Sequence, residues 1–497
     1  MRFLINRAGA RRRLAVPALA AALLAGAAAL GGCNGERITN INDPDRLTPE
    51  ALERSEFLPV VLSGAVRDFT LAYSGSDEFE GMVMWTGLLS DEFYASGTFP
   101  TRIEVDRRAI LDDNSNNQDV FRFLSRARRA AEESAARFAR LDPQNERAGR
   151  AESLNLAGFT YVLFAEGWCS GVPISEYDAG SDAFTFGAPL PTDSLFRRAL
   201  QRFDAALAAA TARNETAQAN LARVGRGRVL LNLGRFADAA AAVAGVPTTF
   251  VYEVQHSSNT ASQNNGIWAF SANQGRLSVA NQQGTNGLPY RSAFDAGDTR
   301  VPYFLAPAGD PTRLGFARAV LRYQVQKYPQ RETGVVVASG VEARLIEAEA
   351  ALAAGNVATF LQRHNDLRAN TALYRCPTGA LGCTNPAAAL PALTDPGTAA
   401  SRVDVHFRER AFWLFGTSHR LGDMRRLLRQ YGRDQRTVFP VGVYNRPAAA
   451  GGTIQTGSGR GDFGTDVSLP VPVDEQNNPR FAEFGSCDNT QAGEQRF

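Results

Sequence analysis

From Ser194 to Val243 apolar residues recur every three or four positions, a spacing that forces helices with one apolar face each. Leu195, Ala199, Phe203, Ala206 and Leu207 mark the stripe of a first helix, Ser194 to Ala210, with Asp193 placed to cap it. Asn220 to Leu233 and Phe236 to Val243 follow as a hairpin turned at Gly234-Arg235, and Pro247 stands just past its end. Helices this short bury little alone, so they require neighbours stacked on both sides. Four helix pairs are expected, around 120–165, 194–244, 340–370 and 403–430.

Other stretches carry the same period. A first helix is expected over Pro49 to Thr70, a second over Gly81 to Leu89, with Trp85 packed inside, and long ones over Val120 to Leu141 and Arg147 to Ala165. In 403–430, Phe407, Ala411, Leu414 and Phe415 form a stripe that contains Trp413 and breaks at Gly416-Thr417-Ser418. Charges sit among those aromatics. Long charged side chains in such a setting are buried only when paired, so Glu409 and Asp423 are expected to meet arginines.

The expected fold is mainly α, a tetratricopeptide-like helical repeat with irregular loop insertions and little strand; Gly227, Gly234, Phe236 and Ala240 resemble one such repeat. One insertion stands out. Thr249 to Phe304 loses the helical period, is rich in Ser, Asn, Gln, Gly and Thr, and carries Trp268, Phe270, Tyr290, Phe294 and Tyr303. A second polar loop, Phe93 to Pro100, holds Tyr94 and Phe99. Aromatic rings match the flat C–H face of a sugar, and amides and carboxylates match its hydroxyls. Trp268, Tyr290, Tyr94 and Phe99 are therefore the candidate platforms, and Asp91, Asn264 and Asn286 the candidate hydroxyl partners. Asp298 and Arg300 read as a clamp within their loop.

The first 32 residues read as a targeting segment. Arg2, Arg7 and Arg11-Arg12-Arg13 precede an apolar run from Leu14 to Leu30, and Gly31-Gly32 lead to Cys33. This resembles a bacterial lipobox, in which Cys33 is lipidated. Polar Asn34 to Pro49 would be the tether (33–49), and 50–497 a single domain. Removing five arginines from a net charge of +2 leaves −3, and no basic block remains, so nucleic-acid binding has no electrostatic footprint. Four cysteines are left. Cys376 and Cys383 flank a glycine-containing loop and are expected to be bridged; Cys169 and Cys487 would then pair by elimination. No metal-ligand spacing occurs, and no cofactor is called for.

Several segments together resemble the SusD/RagB family of outer-membrane nutrient-binding lipoproteins. Glu409, Arg410, Leu414, Arg420, Asp423 and Arg426 fall in register with its late helical signature, although Trp413 replaces a glutamate and Thr417-Ser418 replace Glu-Gly. Leu345-Ile346-Glu347-Ala348-Glu349-Ala350, Gly355-Asn356 and Asn365 to Arg368 match another segment, Phe164 to Pro173 an early one, and Leu469 to Pro479 the closing one. The resemblance implies a surface lipoprotein at the outer membrane that binds oligosaccharide, or peptide, and delivers it to a TonB-dependent, SusC-like transporter. It implies no enzymatic activity.

Two other classes are weighed against it. A scaffold lipoprotein would bind only protein through its helical faces. A glycosidase would need two carboxylates held across a cleft. Glu104 with Asp106, and Asp112-Asp113, are paired acids, but neighbouring acids in a polar loop are ordinarily just solvated. No nucleophile elbow is found either.

Overall fold

The computed structural model describes residues 51–178, 183–444, 446–449, 451, 453–454, 461–482 and 487–492. Cys33, the targeting segment and the tether lie outside the described residues. Eight helices make the scaffold: α1 (Leu58–Ser74), α2 (Met82–Leu89), α3 (Ser115–Leu141), α4 (Arg150–Gly167), α5 (Thr192–Ala212), α6 (Thr216–Asn232), α7 (Phe236–Val243) and α8 (Gly340–Ala353). They are joined by α9 (Val357–Ala369), α10 (Ala399–Trp413) and α11 (Arg420–Tyr431). The fold is mainly α, as the periodicity requires.

Packing follows chain order. Helices α1, α3, α4, α5, α6, α7, α8 and α9 each lie against the next, so every apolar stripe is covered by a neighbour. Helix α11 returns onto α2 and α4 and closes the core from the other side. Close approach depends on small residues. Phe203 of α5 lies between Gly158 of α4 and Gly225 of α6, where an added Cβ would come within 2.7 and 2.4 Å of its ring. Phe159 meets the same ring edge-on at 4.9 Å.

Helix ends sit where local hydrogen bonding puts them. Asn114 caps α3 by accepting from the Asn117 N–H, which starts that helix five residues before Val120. Ser339 and Asn356 cap α8 and α9, Thr398 and Ser401 form a capping box on α10, and Gly432 ends α11 in the left-handed conformation. Asp193 is not a cap: α5 begins at Thr192, after Pro191, and Asp193 lies in the first turn. The first helix also differs from expectation, since Pro59 sits at its start and α1 runs from Leu58 to Ser74.

Helices α8, α10 and α11 share a buried charge network. Arg426 pairs with Glu349 and Asp423, Arg410 with Asp423, and Arg300 and Arg368 with Glu409. Asp298 grips Arg300 at 2.6 Å, as expected of a loop clamp. Both disulfides are present, Cys376–Cys383 with Cα atoms 5.8 Å apart and Cys169–Cys487 at 5.6 Å.

The polar insertion is not a free loop, which corrects the sequence reading. Its strand Val251–Val254 pairs antiparallel with Val335–Ser339, and Leu277–Val279 pairs antiparallel with Phe93–Ala95. Ile267, Phe270, Leu277, Val279, Tyr290 and Val301 are all buried in the main core. Asn and Gln residues look like loop material in sequence, but here they hydrogen-bond turns that carry apolar residues inward.

Candidate ligand-binding face

Three chain segments converge under two exposed phenyl rings. Ser96 donates its N–H to Arg276 O at 3.0 Å and its hydroxyl to Gly275 O at 3.0 Å. Phe316 N donates to Gly275 O at 2.7 Å, and Ala317 N to Ser96 O at 3.0 Å. Only glycine fits at 315, because a Cβ there would stand 2.3 Å from Ser96 O.

On this base Phe99 is 39% and Phe316 50% exposed, unusual for phenylalanine in a chain with so large a core. The Arg276 guanidinium lies between them, 4.7 Å from the Phe99 ring centre and 4.6 Å from that of Phe316. Arg102 approaches the Phe99 ring at 4.4 Å and is itself held by Glu80 at 2.5 Å. Each such contact is worth roughly 0.5–1 kcal/mol at an exposed site. Arg276 Nε meets no acceptor among the described residues. Burial, then repulsion from Arg102, lowers the Arg276 pKa from its ordinary value. The face therefore offers two apolar rings with a guanidinium between them, which suits a ligand that is apolar in its faces and hydroxylated at its edges.

Of the sequence candidates, Phe99 alone contributes to this face. Tyr290 is fully buried, 5.1 Å from the rings of both Phe412 and Phe415. Tyr94 is 1% exposed and donates its hydroxyl to Leu321 O at 2.6 Å. Asp91 is buried in a two-point pair with Arg420, at 2.7 and 3.1 Å, and accepts from Leu288 N. These three are corrections: a side chain sealed in the core has no surface to give a ligand. Asn264 is also buried, donating to Asp77 at 3.0 Å, and Asn286 spends its amide on the carbonyls of Arg436 and Phe439. Both are structural ties rather than free hydroxyl partners. Trp268 is half-buried beneath Arg331, whose guanidinium is 5.1 Å from the ring. The paired acids separate as well: Glu104 accepts from Asn114 at 2.7 Å, whereas Asp106 is buried.

Arg276 and Phe316 were missed. The available signal was a phenylalanine next to glycine in an otherwise polar stretch, Gly315-Phe316. A separate cleft of about 450 Å³ lies beside α1, lined by Arg67, Glu152, His256 and Gln263 among others. Its histidine is engaged, 2.9 Å from Ser74 Oγ, and burial pushes the imidazole down to about 4.

Fold and face together describe a helical-repeat protein whose inserted segments build an exposed aromatic surface on one part of the array. Among solved structures this architecture is that of the SusD-like proteins. A SusD-like carbohydrate binding protein from Bacteroides fragilis NCTC 9343 superposes with a TM-score of 0.59 at 14% identity, covering 86% of this chain and 99% of that one. A SusD homolog from Bacteroides thetaiotaomicron VPI-5482 gives 0.57 at 14% identity over 89% and 99%. A SusD/RagB family protein from the same organism gives 0.53 at 11% over 76% and 88%. No sequence-family model matches the chain, and no curated protein does.

Proposed function

We propose that this protein is a non-enzymatic binding lipoprotein that captures oligosaccharide on the Phe99–Arg276–Phe316 face. Anchored through Cys33 at the outer membrane, it passes its ligand to a TonB-dependent, SusC-like transporter. The observation that carries the binding reading is the pair of exposed rings with the Arg276 guanidinium between them. The fold shared with a protein described as carbohydrate binding supports it. The anchor and the transporter rest on the sequence signatures.

A glycan-array screen of the protein, followed by titration calorimetry on the best binder, tests the reading. Stacking on an aromatic ring is worth about 0.5–1.5 kcal/mol. Replacing both Phe99 and Phe316 by alanine is therefore expected to weaken binding roughly 10- to 100-fold with little change in thermal stability. Retention of no glycan, or unaltered affinity in the double variant, overturns it. Co-purification of a large β-barrel from detergent-solubilised outer membrane tests the transporter.

A second reading has one observation of its own. Phe184 and Phe186 are 56% and 47% exposed and meet edge-on at 4.9 Å beside a hairpin, Glu176–Asp178 with Ala183–Thr185. Exposed aromatics of that kind suit a protein contact. Barrel capture that fails in Phe184→Asp, with glycan binding intact, would assign that hairpin to the partner.

A further inference from the structure

We infer that Asp106, Tyr444 and Arg446 are positioning residues for the Phe99 platform: they grip the backbone of Ala95 and Gly97, the stretch that leads straight to the ring. This deepens the ligand-face reading above and rests on it.

The grip is specific. Asp106 ends the short helix Pro100–Asp106 and is 1% exposed. Its Oδ2 accepts from Ala95 N at 2.8 Å and from the Tyr444 hydroxyl at 2.7 Å. Arg446 Nη1 donates to Ala95 O at 2.7 Å and to Gly97 O at 2.9 Å. Ala95 is thus held at both its N–H and its C=O by side chains that touch neither exposed ring. Tyr444 and Arg446 lie some 350 positions away in the chain, Arg446 in the short strand Arg446–Pro447, and Tyr444 is seated edge-on against Phe463 at 5.2 Å. The Ser96 bonds to Gly275 and Arg276 tie the same stretch to a different segment.

The arrangement carries a cost. Asp106 Oδ1 is buried and meets no donor among the described residues. Burial pushes the carboxyl up to about 7, against the opposing pull of the Tyr444 hydroxyl, the Ala95 N–H and Arg446. The groups around it are Tyr94 on the adjoining strand, Tyr444, Arg446 and, beyond Tyr444, Arg107. Burial raises both tyrosines above the ordinary phenol range, so neither loses its proton near neutrality. A carboxyl whose pKa is raised in the closed arrangement favours that arrangement when protonated. The closed loop is therefore held best below the pKa of a solvated aspartate, about 4, and the hold weakens as pH rises to about 7. Opening of the Tyr94–Phe99 stretch admits water, and Asp106 ionises.

Amide hydrogen exchange on the full chain without ligand, corrected for the intrinsic pH dependence of exchange, tests this. In the wild type, amides of 94–99 are expected to open at least about tenfold more readily at pH 8 than at pH 5, levelling off above pH 7. Asp106→Asn, a neutral isostere, should flatten that profile. Tyr444→Phe and Arg446→Met should each raise opening of 94–99 about tenfold, leaving the amides of α4 unchanged. The inference is overturned if wild-type protection of 94–99 is equal at pH 5 and pH 8, if Asp106→Asn keeps the wild-type profile, or if the losses spread equally into α4. Because no ligand is present, failure of the glycan screen would remove the ligand reading and leave this result standing.

Discussion

Arg426 and Glu349 form a two-point ion pair at 2.5 and 2.9 Å, both side chains essentially sealed from solvent. The pair joins α11 to α8 and is shared on either side. Asp423 takes a second donor of Arg426 at 3.0 Å, while Tyr431 donates to Glu349 at 2.6 Å. His406 stands 3.2 Å from the other glutamate oxygen and 3.0 Å from His364.

Breaking that pair from one side leaves a buried guanidinium without its partner. Glu349→Gln is expected to destabilise the protein by about 3–5 kcal/mol, measured by urea unfolding at pH 7. Burial raises the Glu349 and Asp423 carboxyls, but facing arginines outweigh it, holding Glu349 well below its ordinary value and Asp423 at about 2. Their contribution is therefore complete above pH of about 4 and lost as pH falls toward 2. The acid limb of the stability profile should be shallower in Glu349→Gln.

Tyr290→Ala should behave as a core truncation. Its ring packs on Phe412 and Phe415 with no exposed surface, so a loss of about 3–5 kcal/mol is expected by analogy with other buried aromatics. Tyr290→Phe should fold normally and bind ligand as the wild type does. A binding defect in Tyr290→Phe would contradict the placement of this residue in the core.

Glu92 predicts stability that declines toward alkaline pH. It is fully buried, accepts from Gly416 N at 2.8 Å through one oxygen, and meets no donor at the other among the described residues. Burial pushes it up to about 8, so it folds best protonated, and stability is lost as pH rises from about 4.5 through 8. Lys327, held down to about 8 by burial, acts above that pH instead. Glu92→Gln keeps the acceptor for Gly416 without a charge. It should be more stable than the wild type at pH 8 by on the order of 2–4 kcal/mol and nearly equal to it at pH 5.

The two disulfides should differ in worth. Cys169–Cys487 closes a span of 318 residues and Cys376–Cys383 one of 7. On loop-closure entropy the long one is worth about 5–6 kcal/mol and the short one about 2–3. Thermal scans of the two double-alanine variants should rank them in that order. Equal losses would show that native packing, not chain entropy, sets their contribution.

Much of this architecture was readable before any coordinates, because a helix is written in its own local spacing. Leu195, Ala199 and Phe203 announce α5 wherever it packs, and Glu409 and Asp423, charges set among aromatics, announce partners without naming them. Arg300, which binds Glu409, lies 109 residues away, and nothing local marks it as that partner. The Phe99–Arg276–Phe316 face shows the limit more sharply. Phe99, Arg276 and Phe316 meet through hydrogen bonds between segments about 180 and 40 residues apart in the chain. Tyr290 and Asp91 have the composition of ligand contacts yet lie in the core. Residue type and period set which segments become helices and which side chains need partners. Which polar and aromatic residues stay at the surface depends on long-range packing, since burial is a property of what the rest of the chain places on top.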